Sequence, residues 1–274
     1  MKIKEKKVKS VVTKSNLPDA DFVLNPYTGC QHACLYCYAD FIKRFTGHNG
    51  EEWGSFVDVK INAPETITSK SIKEGSVILI GSVTDPYQPL EAKYKITREC
   101  LEKLLEFQPR LEILTKSPLV LRDLDLLKQF KNLRVGISVG ILDEDLSRKL
   151  EPYASSPKRR LETLKKLHEE GVETYLFISP IFPEITDFEE LLKLSRDYVD
   201  EVLFENLNIR ANNRKRIFEF LRENRPELIP LYEQIQKKDN PYWGSLEVKI
   251  SEYCEKSNIP YRIYFYHGAE KNDK

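Results

Sequence analysis

The chain has 274 residues, 41% of them hydrophobic and 11% aromatic, which is enough to bury one large core, alone or with a small appendage, and argues against disorder. Its 43 basic and 43 acidic residues balance, so no global field draws it to nucleic acid or to an anionic membrane. The lysine-rich start, Met1 to Lys14, lacks the apolar segment of a signal peptide, and no run reaches the roughly 18 apolar residues of a membrane span. These features predict a soluble, cytoplasmic protein with no membrane partner.

Short apolar runs alternate with amphipathic stretches through the first three quarters of the chain. The runs are rich in aliphatic and β-branched residues, as buried strands are, and the stretches have the period of about 3.6 residues that marks helices with one buried face. In chain order, the predicted elements are a strand at Phe22–Asn25, a strand at Ser76–Gly81, a helix at Thr97–Phe107, a strand at Leu111–Thr115, a helix at Leu119–Phe130, a strand at Arg134–Val139, a helix at Arg159–Glu170, a strand at Glu173–Ser179, a helix at Phe188–Tyr198 and a strand at Glu201–Glu205.

This alternation predicts an α/β fold with a parallel sheet, because a helix between two strands makes the crossover that parallel pairing requires. About six β/α units fit before residue 208, more than a small doubly wound sheet needs and fewer than a closed barrel has. We therefore predict a partial, open (β/α)6 TIM-like barrel, with a doubly wound sheet as the alternative. The expected division is a basic N-terminal segment at residues 1–20, a core domain at 21–208 and a small α/β C-terminal extension at 209–274 that packs on the core.

The C-terminal extension begins with a basic stretch. Helices are expected at Arg210–Arg225, Tyr232–Lys238 and around Leu246–Cys254, and a final strand at Tyr261–Tyr266. Residues 210–238 hold eight basic and four acidic side chains, a local net charge of +4. The stretch is either a phosphate-tracking surface for nucleic acid or the solvated face of a helix packed on the core. The lack of aromatic side chains at base-stacking spacing favours the solvated face.

Three cysteines, Cys30, Cys34 and Cys37, lie within eight residues of each other in the segment NPYTGCQHACLYCYAD (residues 25–40). Thiolate is a soft ligand that suits iron–sulfur clusters and zinc, and ligands this close let one loop surround a single inorganic centre. Three ligands instead of four leave one metal position open, and an open position is where chemistry takes place. The alternative is a structural zinc site with His32 or His48 as the fourth ligand.

The spacing C-x3-C-x2-C, with the aromatic Tyr36 before the third cysteine, resembles the signature of the radical S-adenosylmethionine superfamily. The resemblance implies a [4Fe–4S] cluster on Cys30, Cys34 and Cys37, with the amino and carboxylate groups of S-adenosylmethionine on the fourth iron. It also implies that an electron from the cluster cleaves this cofactor to methionine and a 5′-deoxyadenosyl radical, which abstracts hydrogen from a substrate. A reductant such as flavodoxin or ferredoxin would supply the electron. The partial barrel of that superfamily agrees with the strand count above.

The segments around the cysteines are similar to one branch of that superfamily, the spore photoproduct lyase-like proteins. The similarity covers about residues 20–208 and is carried by NPYTGCQHACLYCYAD, GSVTDPYQPLE (residues 81–91), LTKS (114–117), LEP (150–152) and FISPIFP (177–183). The resemblance implies a set of cofactor contacts and one candidate catalytic residue, Tyr38, which would relay hydrogen near the radical. The candidate cofactor contacts are Tyr36, Thr84, Asp85, Lys116 and Ser138.

Most of these residues also have a structural interpretation. Thr84 and Asp85 follow a predicted strand, where ligands of parallel sheets bind, but TDPYQP is also a good turn sequence. Lys116 could pair with the carboxylate of the cofactor or be solvated. Ser138 could face the ribose or methionine part of the cofactor or be a hydrogen-bonded buried hydroxyl. Tyr38 could equally be a packing residue.

Side-chain contacts are also expected at Tyr36, His32 and Glu151. Tyr36 is expected to pack in the core and to touch the adenine ring of the cofactor. His32, inside the cysteine segment, is expected to hydrogen-bond the loop and not to bind metal. Glu151 could receive hydrogen bonds at the barrel mouth or cap the following turn, and the sequence does not separate these roles.

One residue departs from the lyase pattern. Ser82 aligns with the cysteine that donates hydrogen in the lyase, and a hydroxyl O–H bond is much too strong to quench a carbon radical as a thiol does. Cys100, on the next helix, is a poor substitute, and Cys100 and Cys254 are both expected to be buried core thiols. The sequence thus favours a radical enzyme of unknown substrate, for which nucleic acid is possible but not favoured. The competing hypothesis is a non-catalytic iron–sulfur or zinc protein whose basic tail binds nucleic acid.

Overall fold

An eight-stranded, mostly parallel sheet forms the centre of the fold in the computed structural model, which describes residues 1–72, 75–237 and 240–265. A second sheet has three strands. In chain order the strands are β1 Lys2–Lys6, β2 Val12–Lys14, β3 Phe22–Leu24, β4 Tyr27–Thr28, β5 Phe56–Lys60, β6 Val77–Ile80, β7 Arg110–Thr115, β8 Leu133–Ser138, β9 Glu173–Ile181, β10 Glu201–Asn206 and β11 Tyr261–Tyr264.

Helices connect the strands of the large sheet. They are α1 Lys43–Thr46, α2 Glu91–Tyr94, α3 Ile96–Leu105, α4 Leu124–Leu127, α5 Glu144–Leu150, α6 Pro157–Glu169, α7 Phe188–Ser195, α8 Arg214–Asn224, α9 Ile229–Gln234 and α10 Tyr242–Lys256. Short 3-10 helices lie at Tyr38–Ile42, Pro64–Thr66, Pro118–Asp123, Arg196–Tyr198 and Pro226–Leu228. Among the described residues, no helix has the length and apolar character of a membrane span.

The strands of the large sheet follow the order β11-β10-β9-β8-β7-β6-β3-β2, and every neighbouring pair is parallel except β2 with β3. The α/β class with a parallel sheet is therefore confirmed. Each of the strands expected from apolar runs is present within a few residues of its predicted bounds. The end of the last predicted strand, Tyr266, lies outside the described residues.

One predicted helix is wrong in kind. The sequence predicts a continuous helix at Leu119–Phe130, but a 3-10 helix at Pro118–Asp123 is followed only by the single turn of α4. The break falls at Asp123, whose backbone (φ −103°, ψ 16°) leaves the helical region. The fully buried carboxylate of Asp123 pairs there with its neighbour Arg122 and with the distant Arg98, and these ion pairs override the local helical pattern.

The two faces of the large sheet differ in character because side chains alternate along each strand. One face carries buried aliphatic residues that pack against α3, α6 and α7, among them Ile80, Ile113, Ile137, Ile178 and Val202. At alternate positions the strands carry polar residues. Near the amino ends of the strands, Arg134 pairs with Glu112 at 2.8 Å and with Glu201 at 2.6 Å.

The basic N-terminal segment contributes two strands that the sequence did not predict. β1 pairs in parallel with β5, and β5 pairs with β4, to form the three-stranded sheet. β2 is the antiparallel edge of the large sheet. Four of the five residues of β1 are exposed, so it lacks the apolar alternation by which a strand is recognised in sequence.

The C-terminal region continues the large sheet. β11 pairs in parallel with β10, with Tyr261 opposite Val202. The helix before it, α10, buries Ile250 and Cys254 in the same apolar core as the central strands. The division into segments 1–20, 21–208 and 209–274 stays a prediction.

Candidate active site

The cysteine loop, defined here as residues 29–38, runs from β4 to the 3-10 helix at Tyr38–Ile42. It begins at Gly29, whose φ of +87° lies in the left-handed region. A β-carbon on Gly29 would approach the carbonyl oxygen of Phe56 to 2.5 Å, so only glycine fits there. Within the loop, the amide of Ala33 bonds to the carbonyl of Cys30, and the amide of Cys37 bonds to the carbonyl of Cys34. These two hydrogen bonds form tight turns within the loop.

Burial keeps the three thiols of the loop protonated in the absence of metal. Cys30 packs with Trp53 and Phe56, whereas Cys34 belongs to a separate apolar cluster on the α5 and α8 side. Burial raises the pKa of Cys30 to about 12 and that of Cys37 to about 11, and it raises the pKa of Cys34 well above its ordinary value. A metal that binds such thiols must displace their protons.

The donor chemistry of the loop fits an iron–sulfur cluster. All three cysteines are free thiols, and thiolates are the ligands that such clusters prefer. In the described parts of the chain, no three His, Cys, Asp or Glu side chains are arranged to hold one metal ion. Both histidines of the zinc alternative contact carboxylates: His32 Nδ1 lies 3.4 Å from Asp85 Oδ2, and His48 Nε2 lies 2.8 Å from Asp58 Oδ2.

The segment after β6 forms hydrogen bonds with the cysteine loop and with the end of β7. Thr84 Oγ donates to the carbonyl of Gly29 at 2.7 Å. Asp85 accepts from the hydroxyl of Thr115 at 2.6 Å and from the amide of Lys116 at 2.7 Å. Asp85 also accepts from the amide of Tyr87 at 2.9 Å, which is the turn role that the sequence suggests. The contact of Thr84 and Asp85 with the cofactor stays a prediction.

A row of polar side chains lies at the carboxyl ends of four neighbouring strands, β7 to β10. Lys116 Nζ donates to Ser138 Oγ at 2.9 Å, Ser138 Oγ donates to the carbonyl of Ser179 at 3.0 Å, and Ser179 Oγ donates to Glu205 Oε2 at 2.5 Å. Lys116 is only 17% exposed, so its interpretation as a solvated surface residue is wrong. Its ammonium lies 5.9 Å from the ring centroid of Tyr36, which brings the row next to the cysteine loop.

A buried carboxylate joins this row to the loop. Glu151 accepts a hydrogen bond from the Tyr36 phenol on one oxygen and pairs with Arg160 on the other. Glu151 and Arg160 are 5% and 1% exposed. Although burial disfavours a charged carboxylate, the positive charges of Arg160 and Lys116 hold the pKa of Glu151 below its usual value.

Arg160 was not among the residues that sequence reasoning selected. The signal was present, because Arg160 lies four and seven residues before Leu164 and Leu167, on the stripe of α6 that faces the core. A charged residue on a buried stripe requires a buried partner. The sequence does not show which carboxylate that partner is.

Tyr38 lies beside the residue that departs from the lyase pattern. Its hydroxyl donates to the carbonyl of Ser82 at 2.7 Å, and the hydroxyl of Ser82 accepts from Asn25 Nδ2 at 3.0 Å. Burial, reinforced by the negative charge of Glu205, raises the pKa of Tyr38. The phenol therefore keeps its proton at neutral pH.

Residues at the start of α8 form hydrogen bonds with the cysteine loop. The sequence did not predict this contact. Asn213 Nδ2 donates to the carbonyl of Tyr36 at 2.8 Å. Arg216 Nε donates to the carbonyl of Leu35 at 2.9 Å, and its Nη1 pairs with Asp40 at 2.8 Å. These partners are more than 170 residues apart along the chain, so no local pattern reports them.

Residues 24–195 match the Radical SAM superfamily, and the chain belongs to that family. It is therefore an enzyme of the radical S-adenosylmethionine class, and the predicted cofactors, a [4Fe–4S] cluster and S-adenosylmethionine, are confirmed. Enzymes of this class need a reductant.

Similarity to known proteins extends over most of the chain. An uncharacterised protein of Methanocaldococcus jannaschii is 39% identical over 232 residues, which is 85% of this chain and 86% of the relative. The radical SAM Nalpha-GlyT isomerase of Pseudomonas phage M6 is 23% identical over 79% of this chain, but this covers only 42% of the isomerase. The structure of spore photoproduct lyase complexed with dinucleoside spore photoproduct superposes with a TM-score of 0.70 at 18% identity, over 96% of this chain and 82% of the lyase. The predicted likeness to the lyase is thus confirmed for the fold.

Proposed function

We propose that this enzyme abstracts hydrogen from its substrate and that Cys30, Cys34 and Cys37 are the three ligands of its cluster. The observation that carries the proposal is the place of the loop with its three free thiols: the ring centroid of its residue Tyr36 lies 5.9 Å from the ammonium of Lys116, at the carboxyl ends of parallel strands. Active sites of parallel β/α folds lie at this end of the sheet.

The cofactors, when bound, supply a 5′-deoxyadenosyl radical, and the side chains around them bind and orient. In this proposal the ammonium of Lys116 pairs with the carboxylate of S-adenosylmethionine, a charge-assisted contact in a site shielded from water. Ser138 contacts the ribose or methionine part. Tyr36 packs against adenine, and Thr84 and Asp85 contact the amino-acid part while holding the loop and Lys116 in place.

Tyr38 is the proposed catalytic residue. It would relay hydrogen near the radical, because its hydroxyl donates to the carbonyl of Ser82 at 2.7 Å. A relay passes a hydrogen atom on and does not supply one, so the lyase's route would still lack its donor thiol. Its ring stacks on Phe41 with centroids 6.4 Å apart, which limits its motion.

We also keep the partial (β/α)6 barrel as a proposal. The parallel strands follow one another in sequential order from β6 to β11, as barrel strands do, whereas a doubly wound sheet reverses its order at a switch point. The polar row on β7 to β10 would then face the inside of the barrel.

The physiological reductant is proposed to be a flavodoxin or a ferredoxin. The substrate is left open, and a nucleic acid is the less favoured candidate. The phage relative is named a radical SAM Nalpha-GlyT isomerase, whereas the more similar archaeal protein carries no substrate in its name.

Anaerobic reconstitution with iron and sulfide tests the proposal. The protein should turn brown, show the broad visible absorption of a [4Fe–4S] cluster, and release 5′-deoxyadenosine from S-adenosylmethionine under dithionite. The competing hypothesis, a non-catalytic iron–sulfur or zinc protein, predicts no 5′-deoxyadenosine. A cluster-loaded protein that fails to cleave the cofactor would refute the proposed function.

Lys116→Ala should weaken binding of S-adenosylmethionine by about tenfold or more and leave the cluster intact, because it removes a shielded cation that faces a carboxylate. Titration calorimetry on the reconstituted protein measures the dissociation constant. Lys158→Ala, in an exposed first turn of α6, is the matched control and should change nothing. An unchanged dissociation constant for Lys116→Ala would remove this residue from the cofactor site.

Generic DNA or RNA should bind only weakly at physiological salt. Two arginines of the basic stretch already have partners, since Arg216 pairs with Asp40 and Arg214 lies 4.4 Å from the ring of Phe218. Another member, Lys238, lies outside the described residues. A solvated helix face thus remains the favoured interpretation.

Gel shifts over a salt series check this expectation. If phosphates are bound, log affinity should fall with log salt at a slope of about −0.7 per neutralised phosphate for single strands. Sub-micromolar, steeply salt-dependent binding that is lost in Arg210→Ala/Arg222→Ala would contradict it and revive a nucleic-acid substrate. Arg210 and Arg222 are exposed, so this variant leaves the contacts of Arg216 with the cysteine loop intact.

A further inference from the structure

We propose that Arg160 is a positioning residue for the cofactor: it occupies Glu151 and so leaves the ammonium of Lys116 available to the carboxylate of S-adenosylmethionine. The inference rests on the proposed cofactor site and goes beyond it, because Arg160 itself does not contact the cofactor in this proposal. It concerns a competition between two cations for one buried carboxylate.

Arg160, and not Lys116, is the cation that directly contacts Glu151 in the structure. Arg160 Nη2 is in direct contact with one oxygen of Glu151, and the Tyr36 phenol occupies the other. Lys116 Nζ remains 3.8 Å from Glu151, beyond hydrogen-bond distance, and donates instead to Ser138 at 2.9 Å. The ammonium has three donors, and this bond uses one of them.

Arg160 is fixed by contacts that Lys116 does not share. Its Nε donates to the carbonyl of Ser155 at 2.6 Å, and its Nη1 donates to the carbonyl of Ser138 at 3.2 Å. The guanidinium is thus held by two backbone carbonyls as well as by the carboxylate, in a pocket where it is 1% exposed. A guanidinium held by three partners binds Glu151 without a large loss of side-chain freedom.

The charge balance explains what would follow from losing Arg160. With the arginine present, Glu151, Arg160 and Lys116 sum to one positive charge, which matches one incoming carboxylate. Without it, Lys116 is the cation that the described part of the chain leaves beside Glu151, and an unpaired buried carboxylate is strongly unfavourable. Lys116 would move toward Glu151, and the cofactor would lose its cation.

The test is a double-mutant cycle on the reconstituted protein, with the dissociation constant of S-adenosylmethionine as readout. Arg160→Gln should weaken binding about tenfold or more. Arg160→Gln/Glu151→Gln should restore binding to within about threefold of wild type, because the competing carboxylate is gone. Arg160→Lys keeps the charge but loses the contacts of the guanidinium with two backbone carbonyls, so its affinity should lie between those of wild type and Arg160→Gln. Iron content and circular dichroism verify that each variant is loaded and folded.

A ligand without the carboxylate provides the control. Binding of 5′-methylthioadenosine, which lacks the amino-acid group of S-adenosylmethionine, should be the same in wild type and in Arg160→Gln. A purely structural role for the buried pair predicts the opposite pattern. Both ligands would then lose affinity together, and the double variant would bind no better than Arg160→Gln. Either of these results would overturn the inference.

Three further outcomes also bear on the inference. If Arg160→Gln does not fold, Glu151→Gln alone tests the inference. The affinity of this variant for S-adenosylmethionine should stay within about threefold of wild type, and a loss of about tenfold would refute the positioning role. If loaded wild-type protein does not bind S-adenosylmethionine at all, the proposed cofactor site fails and this inference fails with it. A wild type that binds while all variants bind equally well refutes the positioning role alone.

Discussion

Replacing Cys30, Cys34 or Cys37 by alanine should each abolish cluster binding. A site with three thiolates has no spare ligand, and the loop that carries them is held in one conformation by Gly29 and by α8. The measurement is iron and sulfide per chain after anaerobic reconstitution, together with the visible spectrum. Iron close to the wild-type content in any one of the three variants would show that the proposed ligand set is wrong.

Cys100→Ser and Cys254→Ser are the matched controls. Both side chains are fully buried, on α3 and α10, and belong to the apolar core away from the loop. Each variant should keep the full iron content. Each should lose about 1–3 kcal/mol of unfolding free energy, because a hydroxyl replaces a thiol in an apolar site. Loss of iron in either control would indicate that cluster loss does not report on ligation.

Spore photoproduct should yield little or no repaired thymine with this protein, although S-adenosylmethionine is still cleaved. The reason is the missing thiol that the sequence resemblance predicts: Ser82 is expected to take the place of the hydrogen-donating cysteine. The carbonyl of Ser82 lies 2.7 Å from the Tyr38 hydroxyl. Cys100 cannot take its place, because its side chain is fully buried in the core. The measurement is chromatographic quantification of thymine and 5′-deoxyadenosine from the dinucleoside photoproduct.

Ser82→Cys is the companion variant, and it should install some quenching of the substrate radical. Ser82→Ala is its control, since it changes the same side chain without supplying a thiol. Efficient and clean repair by the wild-type protein would contradict the prediction. It would mean either that Ser82 is not the aligned position or that another group donates the hydrogen atom.

The sequence by itself determined the fold class, the order of the central strands along the chain and the cysteine motif. Strands such as β6 and β8 are predictable because each carries an apolar run with buried residues, and burial leaves a local compositional record. The cysteines are predictable because one short loop supplies all the thiols. The exposed strand β1 has no apolar alternation, so its local composition did not predict a strand.

The tertiary structure alone decided how the site is assembled. Glu151 was ambiguous in the sequence and proved to be the carboxylate between Tyr36 and Arg160. The contact of Asn213 with Tyr36 joins residues 177 positions apart. Hydrogen bonds and buried ion pairs of this kind depend on which side chains the sheet and helices bring within about 3 Å, and a single polar residue carries no record of its distant partner.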